Sequence, residues 1–281
     1  MMEIGPFRLI ASDLDGTLLR KGEIVSERTH LALERVQEAG ATIVLVTGRP
    51  PRTMQSIAEA AGVSGLAICS NGAIIYDLKR EKIVEYWFIE PEITTRLIAQ
   101  LREAVPGVHF ALEYGLHVGR EPGFPAPRTV LPGFELLIDD ALTLAREPGV
   151  KLIAYHSDLS AEALVELAAP LAGDAALVTH SGIGFIEISA ADIHKGWGLA
   201  HLCTRLGIAA SEVIAFGDMP NDIPMLAWAG HGVAVANAHP TVLEQADEIT
   251  LSNMEDGVAV VLERLISQKL LLDHSSPNRS P

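Results

Sequence analysis

The stretch ASDLDGTLL (residues 11–19) sets two carboxylates, Asp13 and Asp15, one residue apart at the end of the apolar run FRLIAS, with Gly16 and Thr17 behind them. Acids are expensive to hold beside an apolar core without a cation or hydrogen-bond donors. Three further stretches put polar or charged residues at the carboxyl end of an expected core strand or at the start of the next helix. They are Thr47-Gly48-Arg49, Lys195-Gly196, and Gly217-Asp218 followed by Asn221-Asp222. In open α/β sheets ligands bind outside the carboxyl ends of the strands, so these stretches can meet though distant in sequence.

Asp13, Asp15, Asp218 and Asp222 in one place would repel one another. A hard divalent cation resolves this, and a few carboxylates that leave room for water and phosphate oxygens suit Mg²⁺. A calcium loop does not fit, because Gly16 is the fourth residue from Asp13 rather than the sixth and the later ligands are absent. Lys195 adds a point charge, Thr47 a hydroxyl, and the helix N-termini backbone donors, which together make a phosphate site. There, one carboxylate of the Asp13/Asp15 pair can attack phosphorus to form an acyl phosphate. The other can protonate the leaving oxygen and then activate the water that cleaves the intermediate. Gly16 permits the sharp turn that brings both to one substrate. Singly, each feature has an ordinary explanation: an Asp-Gly turn, a solvated lysine, a Thr-Gly turn, helix caps at Asp218, Asn221 and Asp222. Their conjunction, in this order on one sheet, points to chemistry.

The elements that carry these residues follow from the hydrophobic pattern. FRLIAS and the nearly all-apolar ATIVLVTG read as strands covered on both faces, and ERTHLALERVQEAG and PPRTMQSIAEAAG as helices. LAICSNGAIIYD gives two short strands about the Asn71-Gly72 turn. This βα alternation implies right-handed crossovers and a parallel sheet with helices on both faces, a Rossmann-like core. It returns after residue 189 with KGWGLAHLCTRLG, VIAFGD, DIPMLAWAG, GVAVAN, HPTVLEQA, EITL and a last helix, EDGVAVVLERLISQKLL. Between them lie strand pairs with intervening helices: EKIVEYWFI, the helix PEITTRLIAQLREA, HFALEYGLHVGR, a Pro/Gly-rich loop EPGFPAPRTVLPG, a helical or irregular FELLIDDALTLARE, KLIAYHS, SAEALVELAAPLAG, AALVTHS and GFIEIS. The expectation is a discontinuous core, 1–82 and 189–281, with an inserted α+β cap at 83–188 and a disordered tail from about 273 to 281.

The chain has 281 residues, 48% hydrophobic and 5% aromatic, and a net charge of -15. The negative charge argues against nucleic-acid and anionic-membrane partners. No apolar stretch reaches membrane-spanning length, and MMEIGPFRLIASDL lacks the basic and apolar regions of a signal peptide. The expectation is a cytoplasmic enzyme, monomer or homodimer, acting on a small molecule. Cys69 and Cys203 read as buried core residues, with no disulfide framework or zinc spacing.

DLDGTLL, VTGRP, HKGWGL and GDMPNDIPML resemble the four ordered motifs of the haloacid-dehalogenase-like phosphatases, and the insertion after the second motif, with SNGA at 70–73 and VANA at 235–238, resembles the Cof-like branch. The resemblance implies a Mg²⁺-dependent phosphatase with Asp13 as nucleophile and Asp15 as general acid/base. It implies Mg²⁺ held by the Asp13 and Asp218 carboxylates and the Asp15 carbonyl and oriented by Asp222. Thr47, Gly48 and Lys195 would hold the phosphoryl group, assisted by Asn221 and Asn237, and Arg49 would either reach substrate or brace its loop. His194 carries no expectation beyond a surface histidine. In the cap, His109, Glu113, Tyr114, His117, Arg120, Arg128, His156 and His180 are candidates to face the cleft, and the Gly182-Ile183-Gly184 turn to dip toward it. Sugar phosphates lead the expected substrates, before phosphorylated cofactor precursors, nucleotide monophosphates and polyol phosphates. Three alternatives share part of the pattern. A phosphomannomutase-like transferase has a similar cap, a receiver-type phospho-acceptor lacks the cap and Asp15, and a binder would have lost catalysis.

Overall fold

The structure, a computed structural model, describes residues 6–125, 136–182 and 184–271. Arg128, Ile183, the Pro/Gly-rich loop from residue 126 onward and the expected tail lie outside these residues. In chain order the elements are β1 (Leu9–Ser12), α1 (Glu27–Glu38), β2 (Thr42–Val46), α2 (Gln55–Ala61), β3 (Leu66–Cys69), β4 (Ile74–Asp77) and β5 (Lys82–Tyr86). Next come α3 (Pro91–Ala104), β6 (His109–Glu113), β7 (Val118–Arg120), β8 (Leu136–Ile138), α4 (Ala141–Leu144), β9 (Lys151–Tyr155), α5 (Ala161–Ala172), β10 (Ala176–Thr179) and β11 (Phe185–Ala190). The chain closes with α6 (Lys195–Leu206), β12 (Val213–Gly217), α7 (Ile223–Trp228), β13 (His231–Ala234), α8 (Pro240–Leu243), β14 (Glu248–Ile249) and α9 (Gly257–Ser267).

The larger sheet has the order β14-β13-β12-β1-β2-β3-β4-β5. The first six are parallel; β4 and β5 run antiparallel at one edge. Every residue of β1 and β12 is buried, as expected of strands covered on both faces. From β1 the chain steps one way through α1 to β2, and from β12 the other way through α7 to β13. Right-handed crossovers therefore put α1 and α7 on opposite faces. α9 returns to pack on α1, and α6 packs on α7. The reversal between β1 and β12 is the point at which such sheets open a crevice at their carboxyl edge.

The smaller sheet, order β10-β11-β9-β6-β7-β8, is antiparallel except for the β7–β8 pair. α3 and α5 cover one face: Leu97, Ile98, Leu101 and Leu164 bury against Phe110, Leu112, Leu152 and Ile186. The alternate residues of the same strands face the larger sheet's carboxyl edge.

Three expectations change. β5, cut by a boundary at 83, hydrogen-bonds to β4 as the edge of the larger sheet, with Ile83 and Trp87 packed on its core, and β11 carries the smaller sheet on to Ala190. FELLIDDALTLARE is in its described part a strand, β8, and then the one-turn α4, because Asp140 caps a new helix by accepting from the Leu142 N–H. PPRTMQSIAEAAG is a short 3₁₀ turn, Pro51–Thr53, before the helix proper. No helix among the described residues is long and apolar enough to cross a membrane.

Candidate active site

β1 and β12 are hydrogen-bonded neighbours with Ser12 opposite Phe216, so the residues that follow each strand emerge side by side. The Asp13 N–H continues the ladder to the Phe216 carbonyl at 3.0 Å. Asp218 follows β12. Between Asp15 and Thr17 the chain turns at Gly16, φ +84°, where a Cβ would stand 2.1 Å from Asp218 Oδ2. Glycine thus serves both the backbone conformation and the close approach of the loop to this carboxylate. Thr17 Oγ1 donates to Asp218 Oδ1 at 3.0 Å.

Lys195 is the first residue of α6, and its side chain is 1% exposed. Its Nζ donates to Asp13 Oδ1 and to Asp222 Oδ1, each at 2.6 Å. Asp222 sits at the end of the 3₁₀ turn Pro220–Asp222, where its Oδ2 accepts the N–H groups of Asp218 and Met219, each at 3.0 Å. Both Asp222 oxygens are therefore committed to holding Lys195 and the Asp218 backbone. His194 caps α6: its Nδ1 accepts the Trp197 N–H at 3.0 Å. Burial lowers the His194 pKa, which favours the neutral ring that this acceptor role needs. The residue is a half-buried helix cap rather than a surface histidine.

Three buried carboxylates face one buried ammonium. Burial, reinforced by Asp222 and Asp15 against the pull of Lys195, raises Asp13 from 3.8 to about 7. Burial and the charges of Asp13 and Asp222 raise Asp218 to about 9. Burial alone would depress Lys195, but Asp13 and Asp222 outweigh it and hold the ammonium above its ordinary range. Oxygens of Asp13, Asp218 and Asp222 lie within 4.8 Å of one another. Lys195 occupies only one Asp13 oxygen, and Asp218 Oδ2 lies beside Gly16. The surplus negative charge and the oxygen-only donor set fit a hard divalent cation.

Asp15 stands at the rim with its side chain 53% exposed. Arg49 grips it through both oxygens, Nε to Oδ2 at 2.7 Å and Nη2 to Oδ1 at 2.5 Å, and also meets Glu23 Oε1 at 2.9 Å. Arg49 also lines the cleft. Thr47 is buried at the end of β2, and its Oγ1 accepts the Arg49 N–H at 3.0 Å. Asn221 lines the cleft and donates to Asn71 Oδ1 at 3.1 Å. Asn237 differs from expectation. Its Nδ2 donates to the Gly16 carbonyl at 2.8 Å and its Oδ1 accepts the Asn253 N–H at 2.8 Å, outside the cleft lining. It buttresses the Asp13–Thr17 loop from behind, because its amide is spent on backbone groups.

The cleft, about 520 Å³, is roofed by the open face of the smaller sheet. Period-two alternation aims Lys151, Ile153 and Tyr155 of β9, Phe185 and Glu187 of β11, and Glu113 of β6 into it. Lys151 Nζ donates to the Gly48 carbonyl at 2.8 Å and pairs with Glu187. Burial opposes ionisation of Glu187, yet Lys151 draws its carboxyl below the ordinary range. Arg52 grips Glu113 at 2.5 and 2.6 Å across the same seam. Of the cap candidates from sequence, Glu113 alone among the described ones lines the cleft. Tyr114 donates to the Leu144 carbonyl and stacks on His117, Arg120 holds the Phe124 carbonyl, and His109 lies beside Glu121. His156 meets the Pro106 carbonyl, and the His180 ring lies against His239. Ser181 lines the cleft, and Gly182 abuts the Met219 methyl. Lys151, Glu187 and Asn71 escaped sequence reasoning. The signal for the first two was a charge within an otherwise apolar strand, KLIAY and FIEIS.

A cap over a carboxylate cluster at the crevice of a doubly wound sheet defines a class of phosphoryl-handling hydrolase, and the comparisons agree. The haloacid dehalogenase-like hydrolase profile matches residues 10–262. The 5-amino-6-(5-phospho-D-ribitylamino)uracil phosphatase YcsE of Bacillus subtilis is 30% identical over 269 residues, 92% of this chain and 96% of the relative. An HMP-PP phosphatase of Cronobacter sakazakii is 31% identical over 248 residues, 85% of this chain and 87% of the relative. A crystal structure of a haloacid dehalogenase-like hydrolase from Bacteroides thetaiotaomicron superposes with a TM-score of 0.74 at 28% identity, covering 92% of this chain and 99% of that one. The chain belongs to the haloacid dehalogenase-like hydrolase family, as a phosphate-monoester hydrolase of its Cof-like, capped branch.

Proposed function

We propose that the protein hydrolyses phosphate monoesters of small metabolites, sugar and polyol phosphates among them, through an aspartyl-phosphate on Asp13 with Mg²⁺ as cofactor. The observation that carries the reading is the buried convergence of Asp13, Asp218 and Asp222 on Lys195 beneath the cap. The activities named for the two relatives, both phosphatases of small phosphorylated compounds, support it.

An Asp13 carboxylate oxygen forms a bond to phosphorus as the bond to the ester oxygen breaks. Asp15, released from Arg49, gives its proton to the departing alkoxide. It then takes a proton from water, whose oxygen attacks phosphorus and frees the Asp13 carboxylate and inorganic phosphate. Thr47, the backbone at Gly48 and Lys195 hold the phosphoryl oxygens, and Asp222 keeps Lys195 and Asp218 in place. Mg²⁺, held by Asp13, the Asp15 carbonyl and Asp218, supplies the positive charge that lets a phosphate dianion approach these acids.

The test is phosphate release from a panel of phosphorylated metabolites with Mg²⁺ or with chelator. The expected result is Mg²⁺-dependent release that Asp13→Asn abolishes. Release that persists in Asp13→Asn overturns the nucleophile, and phosphate migration between positions of a sugar phosphate without net release replaces hydrolysis by mutase chemistry.

A further inference from the structure

Residues 70–73 join β3 to β4, and Ser70, Asn71 and Gly72 in succession take left-handed φ values of 50°, 57° and 100°. A four-residue hairpin loop built around a type I turn needs no such run. Left-handed backbone costs free energy at a residue with a Cβ and persists where the surroundings hold it. Here the surroundings are the catalytic edge. The Asn71 N–H donates to the Thr47 carbonyl at 3.0 Å and the Ser70 N–H to the Arg49 carbonyl at 2.9 Å. A Cβ on Gly72 would stand 2.3 Å from the His194 carbonyl oxygen, so the turn is seated on the start of α6, whose first residue is Lys195.

The Asn71 side chain reaches further. Its Oδ1 accepts from Asn221 Nδ2 at 3.1 Å, and both residues are buried. The same oxygen lies 3.0 Å from the place of a Cβ on Gly48. In the sheet β3 is three strands from β12, roughly 14 Å at about 4.8 Å per strand. β1, which Asp13 follows, lies between β12 and β2. One residue therefore ties the loop after β2 to the turn after β12, on either side of the nucleophile. The turn after β12 also contains Asp222, which holds Lys195.

We infer that Asn71 is a positioning residue for phosphoryl transfer. By joining the Thr47–Gly48 loop to Asn221 it fixes the spacing of the groups that hold the phosphoryl oxygens about Asp13. The inference rests on the phosphatase reading for its catalytic sense, and hydrogen exchange tests the link without turnover. Asn71→Gly removes the amide, and glycine keeps the left-handed backbone. Asn221→Ala removes the other partner and leaves residue 71 untouched. In the full chain with Mg²⁺, both variants are expected to melt cooperatively and to exchange faster at 47–49 and 219–222, with β6 unchanged. Native exchange at 47–49 in Asn221→Ala overturns the link. With p-nitrophenyl phosphate, each variant is expected to lose about tenfold to a hundredfold in kcat, the effect of misplacing a reacting group by an ångström or less, with KM nearly unmoved. The double variant is expected to be no slower than the slower single variant, because the same link is lost once. Losses that multiply overturn the positioning role. A loss carried by KM alone also overturns it, making Asn71 a direct phosphate contact. Absence of wild-type turnover for this ester and for the metabolite panel overturns the phosphatase reading instead, while exchange still decides the link.

Discussion

Replacing Asp218 by Asn should make the metal-free protein more stable. Asp218 is 6% exposed, and its neighbours Asp13 and Asp222 are buried acids. Between its ordinary value of 3.8 and about 9, the folded carboxyl holds a proton that the unfolded one has lost. Stability of the wild type without metal therefore falls as pH rises through that window. At about 1.4 kcal/mol per pH unit the penalty at pH 8 has a ceiling of about 6 kcal/mol. Relaxation and entering water reduce it, leaving roughly 2–3 kcal/mol by the usual discount for buried ions. Asn keeps the shape and an oxygen for Thr17, so the variant recovers this amount. The assay is thermal unfolding with chelator at several pH values. The variant should melt roughly 5–10 °C above the wild type at pH 8, at about 2–4 °C per kcal/mol. The gap should close near pH 4. Saturating Mg²⁺ should stabilise the wild type by about 2.7 kcal/mol at a hundredfold excess over Kd, and leave the variant nearly unmoved. A variant less stable than the wild type at pH 8 without metal, or equal responses to Mg²⁺, would refute the argument that these acids are assembled for a cation.

Two further substitutions probe the same frame. Gly16→Ala should lose about 1–2 kcal/mol from the left-handed backbone alone. Its Cβ must also displace Asp218, so denaturant melts should show the loss and titration should show weaker Mg²⁺ binding; an alanine variant with native affinity would mean that the loop is not packed on this carboxylate. Lys195→Met should destabilise by about 3–5 kcal/mol, because two buried carboxylates lose their partner. Adding Asp13→Asn should restore part of that in a double-mutant cycle, whereas strictly additive effects would show that the pair is not coupled.

The catalytic edge is legible in sequence because its residues interrupt apolar strands where the chain leaves the sheet. Asp13, Thr47 and Asp218 each follow a run too hydrophobic to be anything but buried strand, and the parallel order brings those ends together. Asn237 shows where this reasoning stops. Its place after β13 is right for a site residue, but its amide turns back to Gly16 and Asn253. Only the fold decides that direction. The cap is less legible for a different reason. Leu152 and Ile153 look alike in KLIAY, yet one faces α3 and α5 and the other the cleft. Period two tells that the faces differ, not which of them is covered. Asn71 was hidden by its own ordinariness. In an Asn-Gly pair it reads as a hairpin turn, and it is one, joining β3 to β4 with φ 57°, but from that turn it also presents its oxygen to Asn221.

The central pairing of β1 with β12 joins residues 9–12 to residues 213–216. On a ribosome that adds roughly 5–20 residues per second, β1 waits roughly 10–40 s for its neighbour. Meanwhile β2 covers one of its edges and the other stands open. The smaller sheet, all of whose strands lie between residues 109 and 190, is synthesised complete within that interval. The roof of the cleft is thus available before its floor can close, and Asp13 meets Lys195 and Asp218 only in the last third of synthesis. Until then the nascent chain holds Asp13 and Asp15 with neither the ammonium nor the carboxylates of Asp218 and Asp222, so the catalytic charge cluster is assembled last.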